Sequence, residues 1–102
     1  MLELRPNCEL CDRDLPPGAS EARICSYECT FCATCVEEVL HDVCPNCGGG
    51  FQPRPRRPQK AWREGTGLAH DPPSERRRRS GYARAEIDAF SSRLRTLPPD
   101  AR

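Results

Sequence analysis

Residues 24–35 read ICSYECTFCATC and place Cys25, Cys29, Cys32 and Cys35 within a dozen positions. Packing alone does not call for this, because a buried cysteine acts as a small hydrophobe and one usually suffices where one is wanted. Three chemistries use thiols so densely: a disulfide framework, an iron–sulfur cluster, or zinc.

Working outward, all eight cysteines fall between Cys8 and Cys47, in the pattern C-x2-C-x13-C-x3-C-x2-C-x2-C-x8-C-x2-C. So short a segment cannot bury enough apolar surface to fold unaided, and staples are expected. The start of the chain, MLELRPNCEL, alternates apolar with charged residues and has no apolar signal-like run. No stretch reads as a membrane span, so a cytoplasmic location is expected. There thiols stay reduced and short-spaced pairs favour metal over disulfides. Cys29, Cys32 and Cys35 imitate the opening of a bacterial ferredoxin run. That run takes its next cysteine three residues later with proline after it, whereas Cys44-Pro45 follows after eight. A redox CxxC site is disfavoured by the lack of a surrounding βαβ pattern.

Zinc remains. A two-residue gap lets both sulfurs of a pair face one ion while backbone N–H groups bond the thiolates, and a tetrahedral site takes two such pairs. Eight cysteines make two closed four-sulfur sites holding two Zn2+, with none left over. In the last pair, CPNCGG, Pro45 fixes the turn and Gly48 permits backbone geometry that a side chain would obstruct. Spacing leaves two pairings open. Sequential pairing groups Cys8, Cys11, Cys25 and Cys29; interleaved pairing joins Cys8 and Cys11 to Cys32 and Cys35, and Cys25 and Cys29 to Cys44 and Cys47.

The pattern over residues 8–47 resembles the RING finger. Leu10 precedes the second cysteine, Phe31 precedes the fifth, Val36 follows the sixth, and CPNC matches the closing pair. The resemblance implies the interleaved cross-brace, a treble-clef-like fold with a short hairpin and one short helix. Cys29 stands where most RINGs have histidine, the Cys25–Cys29 gap is long, and the loop before Cys44 is short. Residues up to about 57 also resemble a set of bacterial cysteine-rich proteins grouped as domain of unknown function 1272. The segments MLELRPNCE, CDRDLPP, ARICSYECTFC and VLHDVCPNCGG carry that likeness; it implies a bacterial source and no activity.

The rest of the domain reads coarsely. DLPPGAS is a turn-rich loop and EARICSY alternates like a short strand. CATCVEEVLHDV spaces Val36, Val39, Leu40 and Val43 as a short helix starting near Cys32 or Cys35. Leu10, Ile24, Phe31, Val36, Val39 and Leu40 are the expected core. His41 fits a helix end better than a ligand position.

Composition then changes at CGGGFQPRPRRPQK. Proline alternating with arginine favours extended backbone without a core, so the zinc-binding domain is expected to be 1–51, with a disordered linker over 52–80. Ala83, Ile87, Phe90, Leu94 and Leu97 recur at helical spacing, predicting an amphipathic helix over 81–97, which docks on the zinc domain, on a partner, or on nothing stable. Residues 98–102 are expected to be disordered. Up to Cys47 the chain has three basic residues against nine acidic ones; the remainder has thirteen against six. Thiolates on two zinc ions would add four further negative charges, leaving the loaded protein net negative.

No serine–histidine–carboxylate set, carboxylate pair or phosphate-binding glycine loop appears, and closed thiolate sites offer no open position. The sequence therefore points to a non-catalytic zinc module that binds another macromolecule, most simply a protein, with no membrane or small-molecule partner. One alternative is a RING-type ubiquitin ligase using Leu10, Pro45 and a residue near Val39; VEEVLHDV lacks the platform tryptophan, and Gly48 stands where many active RINGs carry a basic residue. Another is a nucleic-acid accessory protein acting through Arg76, Arg77, Arg78 and Arg79, a run without interleaved aromatics. His70 and Trp62 stand alone in polar sequence.

Overall fold

The computed structural model describes residues 1–102. Its centre is a hairpin of β1 (Ala22–Ile24) and β2 (Thr30–Cys32), antiparallel with Arg23 opposite Phe31. A third strand, β3 (Gln52–Pro53), pairs with the other side of β1, giving the order β2-β1-β3. Proline is tolerated in β3 because this is an edge strand, where no partner needs its missing N–H.

Chain direction reverses directly after β2. Cys32 caps α1 (Ala33–Cys35), and the helix continues with π-type hydrogen bonding over Val36–Leu40. It stops at His41 and Asp42, both left-handed (φ 49° and 62°), and the Asp42 carboxylate accepts the Phe51 N–H at 2.9 Å. The expected helix is thus present, and His41 ends it. Its N–H bonds the Val36 carbonyl.

The core is small and half sulfur: of thirteen clustered buried residues, six are cysteines. Phe31, Val36 and Leu40 are buried as expected, while Leu10 and Val39 pack against the cluster half-buried and Ile24 is also half-buried. Leu15 and Phe51 join them, and Phe31 meets Phe51 edge-on with ring centroids 5.4 Å apart. So few aliphatic groups cannot offset chain entropy alone, which is why the thiols matter to the fold.

The expected disorder of 52–80 and 98–102 is corrected by the structure. After β3 the chain folds back along the cysteine-rich part. Arg54, only 4% exposed, donates to the carbonyls of Arg5, Leu15 and Pro16, and Arg57 to those of Leu2 and Asp71. The Ser74 N–H bonds Leu4 O, and the Ser80 N–H bonds Glu9 O. At the C-terminus, Pro99–Ala101 form a 3-10 turn and Arg102 donates to the carbonyls of Asp42 and Gly48. Polar contacts rather than apolar burial hold these segments, and low hydrophobicity in sequence does not reveal them. The ordered unit therefore runs past Phe51.

Helix α2 spans Arg84–Leu94, inside the stretch its periodicity marks. Of the three fates open to it, it takes the first and docks on the cysteine-rich part. Ile87 enters the core at 2% exposure, and the Ser91 hydroxyl donates to Leu40 O at 2.7 Å. Phe90 and Leu94 lie over Gly48, whose φ is +81°; a Cβ there would meet Leu94 Cδ1 at 3.2 Å. Glycine is required twice over, for its backbone conformation and for the approach of α2. No helix is long and apolar enough to cross a membrane.

Candidate metal centres

Each cysteine pair is delivered by a tight turn. At Cys8–Cys11, the Asp12 N–H returns to Cys8 O and Asp12 takes φ 64°, while Asn7 and Asp14 bridge across the base. At Cys44–Cys47, the Gly48 N–H bonds Cys44 O and the Cys44 N–H bonds Gly49 O. Cys32 and Cys35 sit at the cap and end of α1, and Cys25 and Cys29 close the hairpin, where the Cys25 N–H bonds Cys29 O.

These turns bring the sulfurs together in the interleaved order. The Sγ atoms of Cys8, Cys11, Cys32 and Cys35 all lie within 4.8 Å of one another. Those of Cys25, Cys44 and Cys47 form a second such set. The Cys29 thiol interacts with Cys25 and Cys44 but lies outside that mutual limit. All eight cysteines are free. With metal–sulfur bonds of about 2.3 Å, the edge of a regular tetrahedron of sulfurs is about 3.8 Å. The Cys11–Cys32 separation is 3.8 Å, far beyond a disulfide and equal to that edge.

Backbone N–H groups point at the sulfurs. Tyr27 N–H donates to Cys25 Sγ at 3.3 Å, Cys35 N–H to Cys32 Sγ at 3.5 Å and Gly49 N–H to Cys47 Sγ at 3.4 Å. Such donors stabilise thiolate over thiol.

Electrostatics within each group is divided. Hydrogen bonds from the Cys29 and Cys44 thiols hold Cys25 down at about 4, and the same contacts, with burial, push Cys44 far up. Burial raises Cys8 and, with the neighbouring thiols, Cys35. Burial also opposes ionisation of Cys11, but the Arg13 N–H and the thiols of Cys8, Cys35 and Cys32 outweigh it and bring its pKa down. Cys11 is thus pushed down while Cys8 and Cys35 are pushed up, and Cys25 down while Cys44 is pushed up, as expected of like charges sharing one site. A soft dication at the centre removes that conflict by binding the sulfurs as thiolates. The donor set, its spacing and its N–H groups fit such an ion.

Glu9 and Asn7, both buried, tie the first cysteine turn to its surroundings and were not singled out in the sequence. The Glu9 carboxylate accepts the Thr30 N–H at 2.6 Å, Arg5 Nη1 at 2.9 Å and Asn46 Nδ2 at 3.3 Å. Asn7 donates to Cys8 O and Arg78 O and accepts the Arg78 N–H. The one available signal was position, since both flank Cys8. The arginine run turns toward its own domain: Arg77 pairs with Asp12 at 3.0 Å and Asp14 at 2.6 Å, Arg78 with Glu3 at 3.3 Å, and Arg79 reaches Leu10 O. Arg76 makes no ion pair within 4.0 Å. His41 is exposed and apart from both sulfur groups.

Two groups of clustered thiols on a small sheet-and-helix core define a cysteine-rich domain suited to metal. Residues 1–57 match the family described as protein of unknown function (DUF1272), and the chain belongs to that family. The resemblance seen in the sequence is thereby confirmed. Over 58 residues, 57% of this chain and 69% of the relative, it is 64% identical to an uncharacterized protein of Rhizobium meliloti (strain 1021). No solved structure matches the chain.

Proposed function

We propose that the protein is a non-catalytic module of RING-like cross-brace architecture, held by two structural zinc ions, which presents a surface to another protein. The observation that carries this is the interleaved grouping of the sulfurs: Cys8 and Cys11 gather with Cys32 and Cys35, and Cys25 with Cys44 and Cys47. Zinc suits the site because it has no redox chemistry, favours tetrahedral thiolate sets and closes them fully. A site closed in this way stabilises rather than catalyses. Exposed aromatics supply contact area for a partner: Tyr27 at the hairpin turn and Trp62, with the Lys60 ammonium 5.9 Å from its ring.

The two rival readings each meet an obstacle. For a ubiquitin ligase, Pro45 is buried, Leu10 and Val39 are half-buried, and α2 packs onto the adjoining helix through Ser91 and Leu40. For nucleic acid, Arg77 and Arg78 are already paired with carboxylates of the same chain, which reduces the charge left for phosphates.

The experiment is elemental analysis of reduced protein with circular dichroism before and after chelation. About two zinc ions per chain and collapse on their removal are expected. Iron, or a folded protein without metal, refutes the reading. A pull-down with a Trp62→Ala, Tyr27→Ala control tests the partner surface.

A further inference from the structure

The two sulfur groups are not equivalent, and the difference lies at Cys29. In the first group four Sγ atoms meet the mutual 4.8 Å limit, whereas in the second only Cys25, Cys44 and Cys47 do. Cys25 and Cys47 accept the N–H groups of Tyr27 and Gly49, and Cys29 accepts none. The backbone gives the reason. Cys29 follows a three-residue gap instead of two, and Glu28 before it is left-handed at φ 67°, its carboxylate held by the Glu3 N–H at 2.6 Å. Hairpin geometry, not the sulfur group, sets where Cys29 points.

Cys29, itself buried, forms part of the wall of an open cleft. This cavity of about 500 Å³ is walled also by Arg5, Glu9, Asn46 and the Arg76–Arg79 segment. Cys47 borders a separate groove beneath α2, yet its sulfur keeps its N–H donor and its place in the group. No cysteine of the first group lines a cavity.

We infer that the second centre is the exchangeable one: Cys25, Cys44 and Cys47 would hold its ion, and Cys29 is the replaceable fourth ligand, yielding to a competing chelator that enters through the adjoining cavity. The incoming donor would form one bond to the metal as the Cys29 sulfur gives up its own, leaving as a thiolate. The chain thus keeps one ion for its fold and passes the other to a competing ligand. This rests on the reading of the sulfur groups as metal centres.

The test uses the full chain loaded with cadmium-113, whose resonances are assigned to each centre by coupling to cysteine β-protons, and is followed by addition of EDTA below stoichiometry. The resonance coupled to Cys25, Cys44 and Cys47 should fade first. In the zinc-loaded protein, a chromophoric pyridylazo chelator should draw off metal in two equal phases about 10- to 100-fold apart in rate, the scale by which loss of an orienting hydrogen bond weakens a metal site. Cys29→Ser should quicken the fast phase and leave the slow one unchanged. Resonances that fade together, loss of the first centre before the second, or a Cys29→Ser protein with both phases unaltered overturns the inference. Failure to take up two ions at loading overturns the metal-centre reading itself.

Discussion

Truncating Ile87 to alanine tests whether the C-terminal helix is part of the fold or an ornament on it. Ile87 is 2% exposed and sits in the same buried cluster as Phe31, Leu40 and Cys44. Isoleucine-to-alanine changes at such sites cost about 2–5 kcal/mol, from lost transfer energy and the cavity left behind. Taking about 3 kcal/mol, the equilibrium between docked and undocked α2 shifts by about two orders of magnitude, since each 1.4 kcal/mol is tenfold. The remaining anchors are the Ser91–Leu40 hydrogen bond and the contacts of Phe90 and Leu94 with Gly48. An eleven-residue helix has little stability of its own in water, so α2 should unfold when it undocks.

The assay is hydrogen exchange of the metal-loaded protein, read by NMR. Protection of α2 amides such as Arg95 N–H, bonded to Ser91 O at 2.8 Å, should fall about a hundredfold in Ile87→Ala, while amides of β1 and β2 change far less. Unaltered protection in α2 would refute the docking argument. An equal fall everywhere would show instead that α2 and the metal core unfold as one unit.

Arg54→Ala should destabilise the protein by about 2–4 kcal/mol in denaturant titrations, because it leaves the buried carbonyls of Arg5, Leu15 and Pro16 without their donor. Gly48→Ala should cost about 1–3 kcal/mol through its left-handed backbone, and lose α2 protection as well, since the new methyl meets Leu94. Arg77→Ala should change stability little and make its small effect disappear at high salt, since both its ion pairs are exposed. Removing metal with excess chelator should abolish the β2-β1-β3 sheet along with both centres, because Cys25, Cys29 and Cys32 all adjoin its strands; a sheet that survives, seen by circular dichroism and cross-strand NMR contacts, would show that the aliphatic core suffices.

What the sequence disclosed follows from how far each signal reaches. Cysteine turns are local: two residues between ligands, a proline or glycine beside them, and the chemistry can be read off the string. The helix after Cys32 and the helix over Arg84–Leu94 are legible for the same reason, since periodicity is a short-range property. Grouping the pairs was beyond spacing and came from the RING likeness, because it depends on which turns meet in space. β3 escaped notice because two residues following a glycine run carry no alternation, and its pairing is decided by β1. The course of residues 54–80 was misread for a deeper reason. A rule that equates low hydrophobicity with disorder counts only apolar burial, whereas this segment is held by guanidinium donors on carbonyls and carboxylates far away in sequence.

Those arginines also answer a problem that bound metal would create. The part of the chain up to Cys47 has an excess of six acidic residues, and two zinc ions bound by eight thiolates would deepen that by four. Self-repulsion on this scale opposes a compact state. The later part of the chain carries the opposite excess, seven, and the structure lays it where the negative charge is: Arg77 against Asp12 and Asp14 beside the first cysteine turn, Arg78 against Glu3, and the Arg76–Arg79 segment across the cavity at Cys29. Each exposed pair adds little alone. Their common placement, together with the Asn7 clasp on Arg78 and the Ser80 N–H on Glu9, makes the basic strap a counter-charge for the metal-loaded domain. The strap should therefore bind more tightly with metal than without, so its amides should gain hydrogen-exchange protection as the second ion is added. A strap equally protected in the apo and loaded proteins would mean that its contacts are indifferent to the charge they cover.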